Sequence, residues 1–147
     1  TVDDDEIAQA ILFLMERGKM VAEGAGAAAV AAIMGKKFDT SGKVVAVISG
    51  GNIDVNILSR VITRGLITAG RNATLTIALE DKPGQLVGVS QIVSECGANV
   101  VSVNHERSDA NMAVTSCFLK VGMETRDFEQ IAEIRKRLTE AGFKIVN

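Results

Sequence analysis

The sequence predicts an α+β chain in which two blocks, residues 1–72 and 73–147, differ in character. In the second block, a segment of alternating apolar and small or polar residues is typical of a half-buried strand, and two later stretches carry apolar stripes at helical spacing. In the first block, two helical patterns precede a continuous β-branched run of the kind found in strands buried on both faces. These observations favour a complete small antiparallel sheet with helices in the second block and part of an α/β domain in the first.

The first block is predicted to contain three helices and one strand. Helices are predicted at residues 5–17, 19–35 and 55–65, and the strand at residues 43–48. The second helix is rich in alanine and has no polar face, so it must be buried on several sides. Because one strand cannot make a sheet, we expect residues 1–65 to be the C-terminal portion of an α/β domain whose N-terminal region is missing from this chain. A linker is predicted at residues 66–72.

The second block is predicted to fold with the element order βαββαβ. Strands are predicted at residues 73–79, 100–107, 112–121 and 143–147, and helices at residues 86–96 and 128–141. A polar connection at residues 108–111 joins the second and third strands as an antiparallel pair. This order is that of the split βαβ, or ferredoxin-like, arrangement, in which both helices cover one face of a four-stranded antiparallel sheet. The other face of so small a domain is expected to pair with a partner, giving a homodimer or tetramer through the sheets.

The composition argues against several classes of function. With 16 basic and 18 acidic side chains the formal charge is −2, which gives no sign of an electropositive surface for nucleic acid. Trp and Tyr, which stack on bases and sugars, are absent from the sequence. The longest apolar run is too short to span a bilayer, so no membrane segment is expected. Two cysteines in a chain without a signal-peptide pattern predict a reduced, cytoplasmic setting.

The loop between the first strand and the first helix of the second block is a candidate ligand site. Its sequence, Glu-Asp-Lys-Pro-Gly-Gln-Leu at residues 80–86, leads into a helix whose first N–H groups attract a carboxylate. Gly84 lets a ligand approach the backbone closely. This loop, the Gly-Ala-Asn-Val sequence at residues 97–100 and the βαββαβ order together resemble an ACT domain, a family of regulatory modules that commonly bind amino acids.

The resemblance implies an amino-acid effector where this loop meets a polar residue at the start of the second strand. On that basis, Asp81 would meet the amino group of the effector and Asn99 would bond to its carboxylate. The candidate effector-binding residues are Asp81, Lys82, Gly84, Gln85, Leu86 and Asn99. The alternative from the residues alone is a plain turn, in which Gly84 serves the geometry and Asn99 is a capping residue.

A second candidate site follows the predicted strand of the first block. Ser49, Gly50 and Gly51 would offer a ligand one hydroxyl and two residues without side chains, although a simple strand-end cap is the alternative for Ser49. Together with Ala-Glu-Gly-Ala-Gly-Ala-Ala at residues 22–28 and Asn-Ile-Asp-Val-Asn at residues 52–56, this sequence resembles the end of the pyridoxal-phosphate domain of threonine ammonia-lyases and their serine-racemase relatives. The resemblance continues into the second block and so covers essentially the whole chain.

This second resemblance implies a fold-type II pyridoxal-phosphate domain and a lyase that converts threonine to 2-oxobutanoate and ammonia. It also implies that Ser49 hydrogen-bonds to the pyridine nitrogen of the cofactor and that Glu23 lies near its ring, with Gly50 and Gly51 completing the cofactor-binding set. The lysine motif Ser-x-Lys-x-Arg-Gly and the glycine-rich phosphate loop of that family have no match in this chain. No catalytic residue is therefore assigned, and the chain alone is expected to be inactive and not to hold pyridoxal phosphate stably.

Two hypotheses from different functional classes follow. In the first, the chain is the regulatory and C-terminal portion of a threonine ammonia-lyase of isoleucine biosynthesis, under allosteric control by isoleucine or valine. In the second, it is a stand-alone amino-acid-sensing ACT protein without catalytic activity, in which residues 1–72 serve as a helical adaptor. The alanine-rich helix argues against the second hypothesis, because that helix has no face suited to water.

The remaining reactive side chains are assigned no chemistry. His105, the only histidine, alternates with valines and is expected to be an ordinary strand residue. Cys96 and Cys117 are expected to be core residues, and no metal site is predicted because no further ligands lie close to them in the sequence.

Overall fold

The computed structural model describes residues 1–107 and 115–146, and the chain divides into two compact units, Thr1–Ala69 and Gly70–Asn147. Each unit has its own hydrophobic core. The helices are α1 (Asp4–Phe13), α2 (Gly24–Met34), α3 (Val55–Thr68), α4 (Gln85–Glu95) and α5 (Phe128–Glu140), and the strands are β1 (Asn72–Glu80), β2 (Asn99–Glu106), β3 (Ser116–Glu124) and β4 (Lys144–Ile145). Within the described residues, no helix combines the length and the apolarity that crossing a membrane requires.

Unit 1 is a cluster of helices in which α1 contacts both α2 and α3. α1 begins in a capping box, since the Asp3 carboxylate accepts from the Glu6 N–H at 2.8 Å and Glu6 accepts in return from the Asp3 N–H at 2.9 Å. Ile11 of α1 and the small residue Ala27 of α2 belong to one buried cluster. α1 continues into a π-helical turn, Leu14–Gly18, so the predicted helix at residues 5–17 is confirmed in this form.

The predicted strand at residues 43–48 is not formed. The described part of unit 1 contains no strand, so the backbone of this segment has no hydrogen-bonded ladder to join. Val45 and Val47 are 87% and 76% exposed, whereas Ala46 and Ile48 pack against the core of unit 1. Such alternation is typical of a segment covered on one face, and the expected burial on both faces is wrong within this chain.

The alanine-rich helix is shorter and less buried than expected. Lys19, with a left-handed φ of 53°, ends the preceding turn, and α2 begins only at Gly24, after the extended N-cap residue Glu23. Ala27 and its neighbours on one side of α2 are buried, while Met34 near its end is exposed. α3 runs on to Thr68, into residues that were expected to form a linker. Unit 1 therefore presents apolar surface that further structure could cover.

Unit 2 has the predicted order βαββαβ, and its strands form an antiparallel sheet in the order β2-β3-β1-β4. Apolar side chains of β1 and β3 face each other across the ladder, with Ile77 opposite Leu119. Val89 of α4 and Ile134 of α5 belong to the same buried cluster, so both helices cover one face of the sheet. The predicted four-stranded antiparallel sheet is confirmed, and its order is compatible with a ferredoxin-like domain.

β2 and β3 pair antiparallel, as predicted, in a register that contains one irregularity. The predicted connection at residues 108–111, and residues 112–114 of the predicted third strand, lie outside the described residues, and β3 begins at Ser116. Glu106 of β2 pairs with Phe118 of β3, and a register shift between Val100 and Ser102 marks a bulge. This register decides which side chains of β2 and β3 become neighbours.

Replacing Asp127 by alanine is expected to destabilise unit 2 in a pH-dependent way. The Asp127 carboxylate caps α5 by accepting from the Gln130 N–H at 2.8 Å, and this bond, with the Arg126 guanidinium, holds the pKa of Asp127 below its usual 3.8. A carboxyl whose pKa falls on folding contributes stability above its unfolded pKa and loses that contribution as the pH drops through its folded pKa.

The Tm difference between the wild type and Asp127→Ala is therefore expected to be constant near neutral pH and to shrink below about pH 4. Asp127→Asn, which keeps the cap and removes the charge, should retain most of the stability at neutral pH. A wild-type advantage over Asp127→Ala that stays the same down to about pH 2 would show that the ionised cap is not its source.

Candidate functional site

A small pocket lies in unit 2 beside the loop that joins β1 to α4. Its volume is about 290 Å³, and it is lined by residues 79–86 together with His105, Arg107 and Leu119. The candidate effector-binding residues that line it are Asp81, Lys82, Gly84, Gln85 and Leu86. The structure thus brings the loop residues singled out from the sequence to one pocket at the end of the sheet.

Gly84 shapes the mouth of this pocket. It is the N-cap of α4 with a φ of 91°, a left-handed conformation that side chains disfavour, and it offers no capping side chain. The first N–H groups of α4 therefore lack a side-chain cap. A Cβ built on Gly84 would meet no described atom within 4 Å. Open space in front of uncapped N–H groups is a favourable place for a carboxylate.

Ion pairs engage the acidic side chains of the loop. Arg107 forms an ion pair with the Asp81 carboxylate: its Nη2 donates a hydrogen bond to Oδ1 at 3.1 Å, and its Nε lies 2.8 Å from Oδ2. Lys82 Nζ lies 2.5 Å from Glu80 Oε2, and this hydrogen bond lowers the pKa of Glu80. The expected bond between Asp81 and an effector amino group therefore requires Arg107 to share or release that carboxylate.

Asn99, the remaining effector candidate, lies away from this pocket. It begins β2 opposite Glu124, whose Oε2 accepts from Asn99 Nδ2 at 3.1 Å, and Glu124 also pairs with Asn72 at the start of β1. The loop instead follows Glu80 at the far end of this nine-residue strand, about 26 Å away. β1 and β2 run in the same direction because both are antiparallel to β3. Within one chain, the structure therefore separates Asn99 from the loop.

The candidate cofactor-binding residues of unit 1 lie together beside the N-terminus of α2. The Glu23 N–H donates to the Gly50 carbonyl oxygen at 3.1 Å, and a Cβ built on Gly50 would lie 2.5 Å from Glu23 Oε1. A Cβ on Gly26 would lie 1.9 Å from the Ser49 carbonyl oxygen, so α2 and this segment approach backbone to backbone. Ser49 and its neighbour Gly51 are exposed. The structure thus places all four candidates along one partly exposed polar edge.

A wider groove of about 1050 Å³ lies in unit 1 between α1 and α3. Its walls include Asp5 and Arg64, which form an ion pair with N–O distances of 2.6 and 2.9 Å, and the apolar side chains of Ile7 and Ile57. Of the described residues that line it, none belongs to either candidate set. Size alone therefore does not single this groove out as a functional site.

Several known proteins similar to this chain have related names. Over 145 residues, 98% of its length, the chain is 46% identical to the L-threonine ammonia-lyase of Thermotoga maritima and 40% identical to that of Geobacter sulfurreducens. The chain is homologous to the L-threonine ammonia-lyases. It spans 36% of the length of each of these two relatives. No protein-family model matches it.

The resemblance to threonine ammonia-lyases is thereby confirmed. Shorter matches point the same way: the chain is 48% identical over 69 residues to the catabolic L-threonine dehydratase TdcB of Staphylococcus aureus strain N315, and 44% identical over 63 residues to that of Escherichia coli K12. These matches cover 44% and 41% of the chain, and 20% and 19% of the relatives. The matches to threonine ammonia-lyases span both units, whereas the TdcB matches are about as long as one.

One cluster in this threonine ammonia-lyase homologue was missed by reasoning from the sequence. A carboxylate oxygen of Asp81, a ring nitrogen of His105 and the Sγ of Cys117 lie within 4.8 Å of one another. Cys117 is 1% exposed, and burial raises the pKa of its thiol, with the Asp81 carboxylate raising it and the Arg107 guanidinium lowering it. Cys117 is a core residue as predicted, and the fold brings Asp81 and His105, which are distant from it in the sequence, within reach of its Sγ.

Proposed function

We propose that the chain is the regulatory and C-terminal part of a pyridoxal-phosphate-dependent threonine ammonia-lyase, with unit 2 as an ACT domain that binds an amino-acid effector. The identity of 46% and 40% to two L-threonine ammonia-lyases over nearly the whole chain carries this proposal. The whole enzyme would convert threonine to 2-oxobutanoate and ammonia. A branched-chain amino acid, isoleucine or valine, would be its effector.

Two further observations support this assignment over a stand-alone sensor. The long matches include both units, as expected if unit 1 belongs to the enzyme and is not an adaptor. Unit 1 also exposes apolar side chains, such as Val45 and Val47, that a larger catalytic domain would cover. The free thiols of Cys96 and Cys117 support a reducing, cytoplasmic setting.

The pocket of unit 2 offers the kinds of contact that an amino acid needs. The uncapped first turn of α4 is suited to the α-carboxylate, and the carboxylates of Glu80 and Asp81 are suited to the α-ammonium group. Leu79 and Leu119 supply an apolar wall for a branched side chain. A volume of about 290 Å³ is at the low end for ligand pockets, which suits an amino acid better than a nucleotide or a peptide.

A second copy of the chain would bring Asn99 to this pocket. β2 lies at one edge of the sheet, and its Val101 and Val103 are exposed. Antiparallel pairing of two β2 strands about a two-fold axis would place the start of each strand beside the end of the other. The end of β2 carries His105, which lines the pocket, so Asn99 of the second copy would lie near Asp81. We therefore expect a homodimer through the sheets, or a tetramer built from two such dimers.

A site shared by two copies would link effector binding to regulation. An effector held between paired sheets favours the paired arrangement of unit 2 over any other arrangement. If that pairing also biases the catalytic domains, the response to threonine changes by the difference in binding free energy, usually about 1–3 kcal/mol. In this form of regulation, the effector and the substrate do not need to touch each other.

The residues of unit 1 fit only one edge of pyridoxal phosphate. Glu23, Ser49 and Gly50 provide a carboxylate, a hydroxyl and an open backbone, which suit the ring nitrogen and its surroundings. Two of the four lysines of unit 1 are already engaged, since Lys19 donates to a backbone carbonyl at 2.8 Å and Lys37 pairs with a glutamate at 2.5 Å. The sequence also has no glycine-rich phosphate loop. This chain alone therefore does not fit the cofactor, and no catalytic step is assigned to its residues.

The isolated chain is expected to form no 2-oxobutanoate from threonine, even with added pyridoxal phosphate. The reason is that neither a cofactor-linking lysine motif nor a phosphate-binding loop is present in the sequence. The formation of 2-oxobutanoate can be followed with a coupled dehydrogenase assay. The positive control is the longer polypeptide that is proposed to contain this chain. Turnover by the isolated chain, or cofactor absorbance that stays with it through gel filtration, would count against this division of roles.

Calorimetric titration of the chain with isoleucine and valine tests the effector site. Saturable binding of at least one of them is expected, and Gly84→Leu should weaken it at least about tenfold, a loss of about 1.4 kcal/mol or more. The larger side chain fills the space in front of α4 that the effector carboxylate would enter.

Gly142→Leu is the matched control for Gly84→Leu. Gly142 has a similar left-handed φ of 88° and equally open surroundings among the described atoms, but it does not line the pocket. Both substitutions should strain the backbone alike, by about 1–2 kcal/mol. Equal losses of binding in the two variants would indicate strain rather than a lost contact, and unchanged binding in Gly84→Leu would exclude this loop as the site.

A further inference from the structure

Three side chains from neighbouring strands of unit 2 converge at one point. His105 lies on β2, Cys117 on β3, and Asp81 directly follows β1, which is the order of these strands in the sheet. The Asp81 N–H donates to the Thr115 carbonyl oxygen at 2.8 Å, which extends the ladder between β1 and β3 to this residue. Rigid strands therefore position all three side chains, and such support is what a precise binding site requires.

We propose that Asp81, His105 and Cys117 bind one divalent transition-metal ion such as Zn²⁺. Carboxylate oxygen, imidazole nitrogen and thiolate sulfur are the donors that Zn²⁺ takes in proteins. The donor atoms lie within 4.8 Å of one another, with His105 Nε2 at 2.8 Å from Cys117 Sγ and 3.9 Å from Asp81 Oδ1. Tetrahedral bonds to Zn²⁺ set neighbouring donors about 3.3–3.6 Å apart. The separations of 2.8 and 3.9 Å at His105 Nε2 lie on either side of that spacing.

The same three residue types also occur in nucleophilic triads, but the geometry here excludes that role. In a triad, the acid and the nucleophile contact opposite nitrogens of the imidazole ring, so that the acid orients the base. Here, Asp81 Oδ1 and Cys117 Sγ both approach Nε2 of His105. Cys117 is moreover buried, and its thiol has a raised pKa, which leaves it a poor nucleophile. Three donors around one point suit an ion better than a proton relay.

Arg107 is the charge that competes with the ion. Its guanidinium donates to Asp81 Oδ1 at 3.1 Å and lies 2.8 Å from Oδ2, and it therefore occupies the carboxylate that the ion would use. A bound ion would carry two positive charges, balanced by the carboxylate of Asp81 and the thiolate of Cys117. The additional positive charge of Arg107 then lowers the affinity for the ion. Removing that charge should strengthen binding, which a purely structural role of the cluster does not predict.

The metal site does not depend on an amino-acid effector or on a second copy of the chain. All three donors belong to unit 2 of a single chain. Three protein ligands leave a fourth position for water, and His105 places the site at the wall of the pocket. Binding is therefore tested with the metal ion alone, in the absence of amino acids.

Titration of the reduced 147-residue chain with Co²⁺, followed by displacement with Zn²⁺, tests this site. We expect one Co²⁺ per chain and a near-ultraviolet absorption band from thiolate-to-cobalt charge transfer. Cys117→Ser should abolish the band, and His105→Gln should weaken the affinity for Zn²⁺ at least about tenfold. His105 is exposed, so the second variant keeps the fold. Arg107→Met should bind Zn²⁺ more tightly than the wild type.

Cys96→Ser is the matched control, because Cys96 is the other free thiol of the same unit and lies outside the cluster. It should leave the band and the affinity unchanged. The site is overturned if stoichiometric Co²⁺ gives no charge-transfer band, if the band disappears in Cys96→Ser, or if His105→Gln binds Zn²⁺ as tightly as the wild type. Circular dichroism of each variant confirms that the comparison is made between folded proteins.

Discussion

Gly26→Ala is expected to lower the free energy of unfolding of unit 1 by about 2–3 kcal/mol, in the upper part of the range for overpacking. In an ordinary helix, this change stabilises, since alanine is favoured over glycine by about 1 kcal/mol. Here, the added Cβ would lie 1.9 Å from the Ser49 carbonyl oxygen, and a backbone atom cannot rotate away as a side chain can. Either α2 or the segment after residue 48 has to move.

Gly24→Ala is the matched control in the same helix. A Cβ at Gly24 would lie 3.6 Å from Ile7 Cγ2, an ordinary van der Waals contact, so this variant should be neutral or slightly stabilising. Urea unfolding gives the overall effect, and hydrogen exchange at the amides of α2 reports unit 1 separately. If Gly26→Ala and Gly24→Ala prove equally stable, the close approach of α2 to Ser49, and with it the candidate cofactor edge, is not present in solution.

Leu119→Ala is expected to destabilise unit 2 by about 3–4 kcal/mol, because it removes buried volume from the middle of the core. Leu119 is 0% exposed, pairs with Ile77 on β1 and with His105 on β2, and also lines the pocket. The substitution therefore removes contacts in the core and beneath the proposed binding site together. Effector and metal binding should weaken along with stability.

Leu86→Ala is the same chemical change at a surface position. Leu86 is 42% exposed, so its loss should cost less than about 1 kcal/mol of stability. Urea unfolding of both variants makes the comparison, since equal slopes show that the unfolded states are alike. A Leu119→Ala variant that loses no more stability than Leu86→Ala would mean that the sheet and its helices do not pack as described.

Elements with local signals were predicted correctly from the sequence. Asp127 caps α5 as expected, because a capping carboxylate acts on N–H groups within the same turn. The alternation along β1 also predicted its buried face, with Leu75, Ile77 and Leu79 in the core. Such features depend on neighbours in sequence, which a pattern records directly. The helices and strands of unit 2 follow from features of this kind.

Features that depend on partners distant in sequence were missed. The β-branched run at residues 43–48 has the propensity for a strand, but a strand forms only beside another one, and the described part of unit 1 contains none. The separation of Asn99 from the loop within one chain has a similar cause. Nearness to the loop depends on the direction of β2 in the sheet, which places Asn99 at the opposite end.

The cluster of Asp81, His105 and Cys117 depended on a register that the sequence does not reveal. A four-residue connection at residues 108–111 would place Arg107 opposite residue 112, and His105 would then lie well away from Cys117. The structure pairs His105 with Leu119, two residues from Cys117 on the same face of β3. The pairing of β2 with β3, which the alternation of side chains does not reveal, sets this register.

The kinetics of the longer polypeptide that is proposed to contain this chain test the proposed function most directly. Its initial rate of 2-oxobutanoate formation should rise with threonine concentration, and isoleucine or valine should shift that dependence severalfold, in line with coupling of about 1–3 kcal/mol. Gly84→Leu in the same polypeptide should remove the shift and leave the rate without effector unchanged. A polypeptide that does not deaminate threonine, or whose threonine kinetics are identical with and without every branched-chain amino acid, would contradict the proposal.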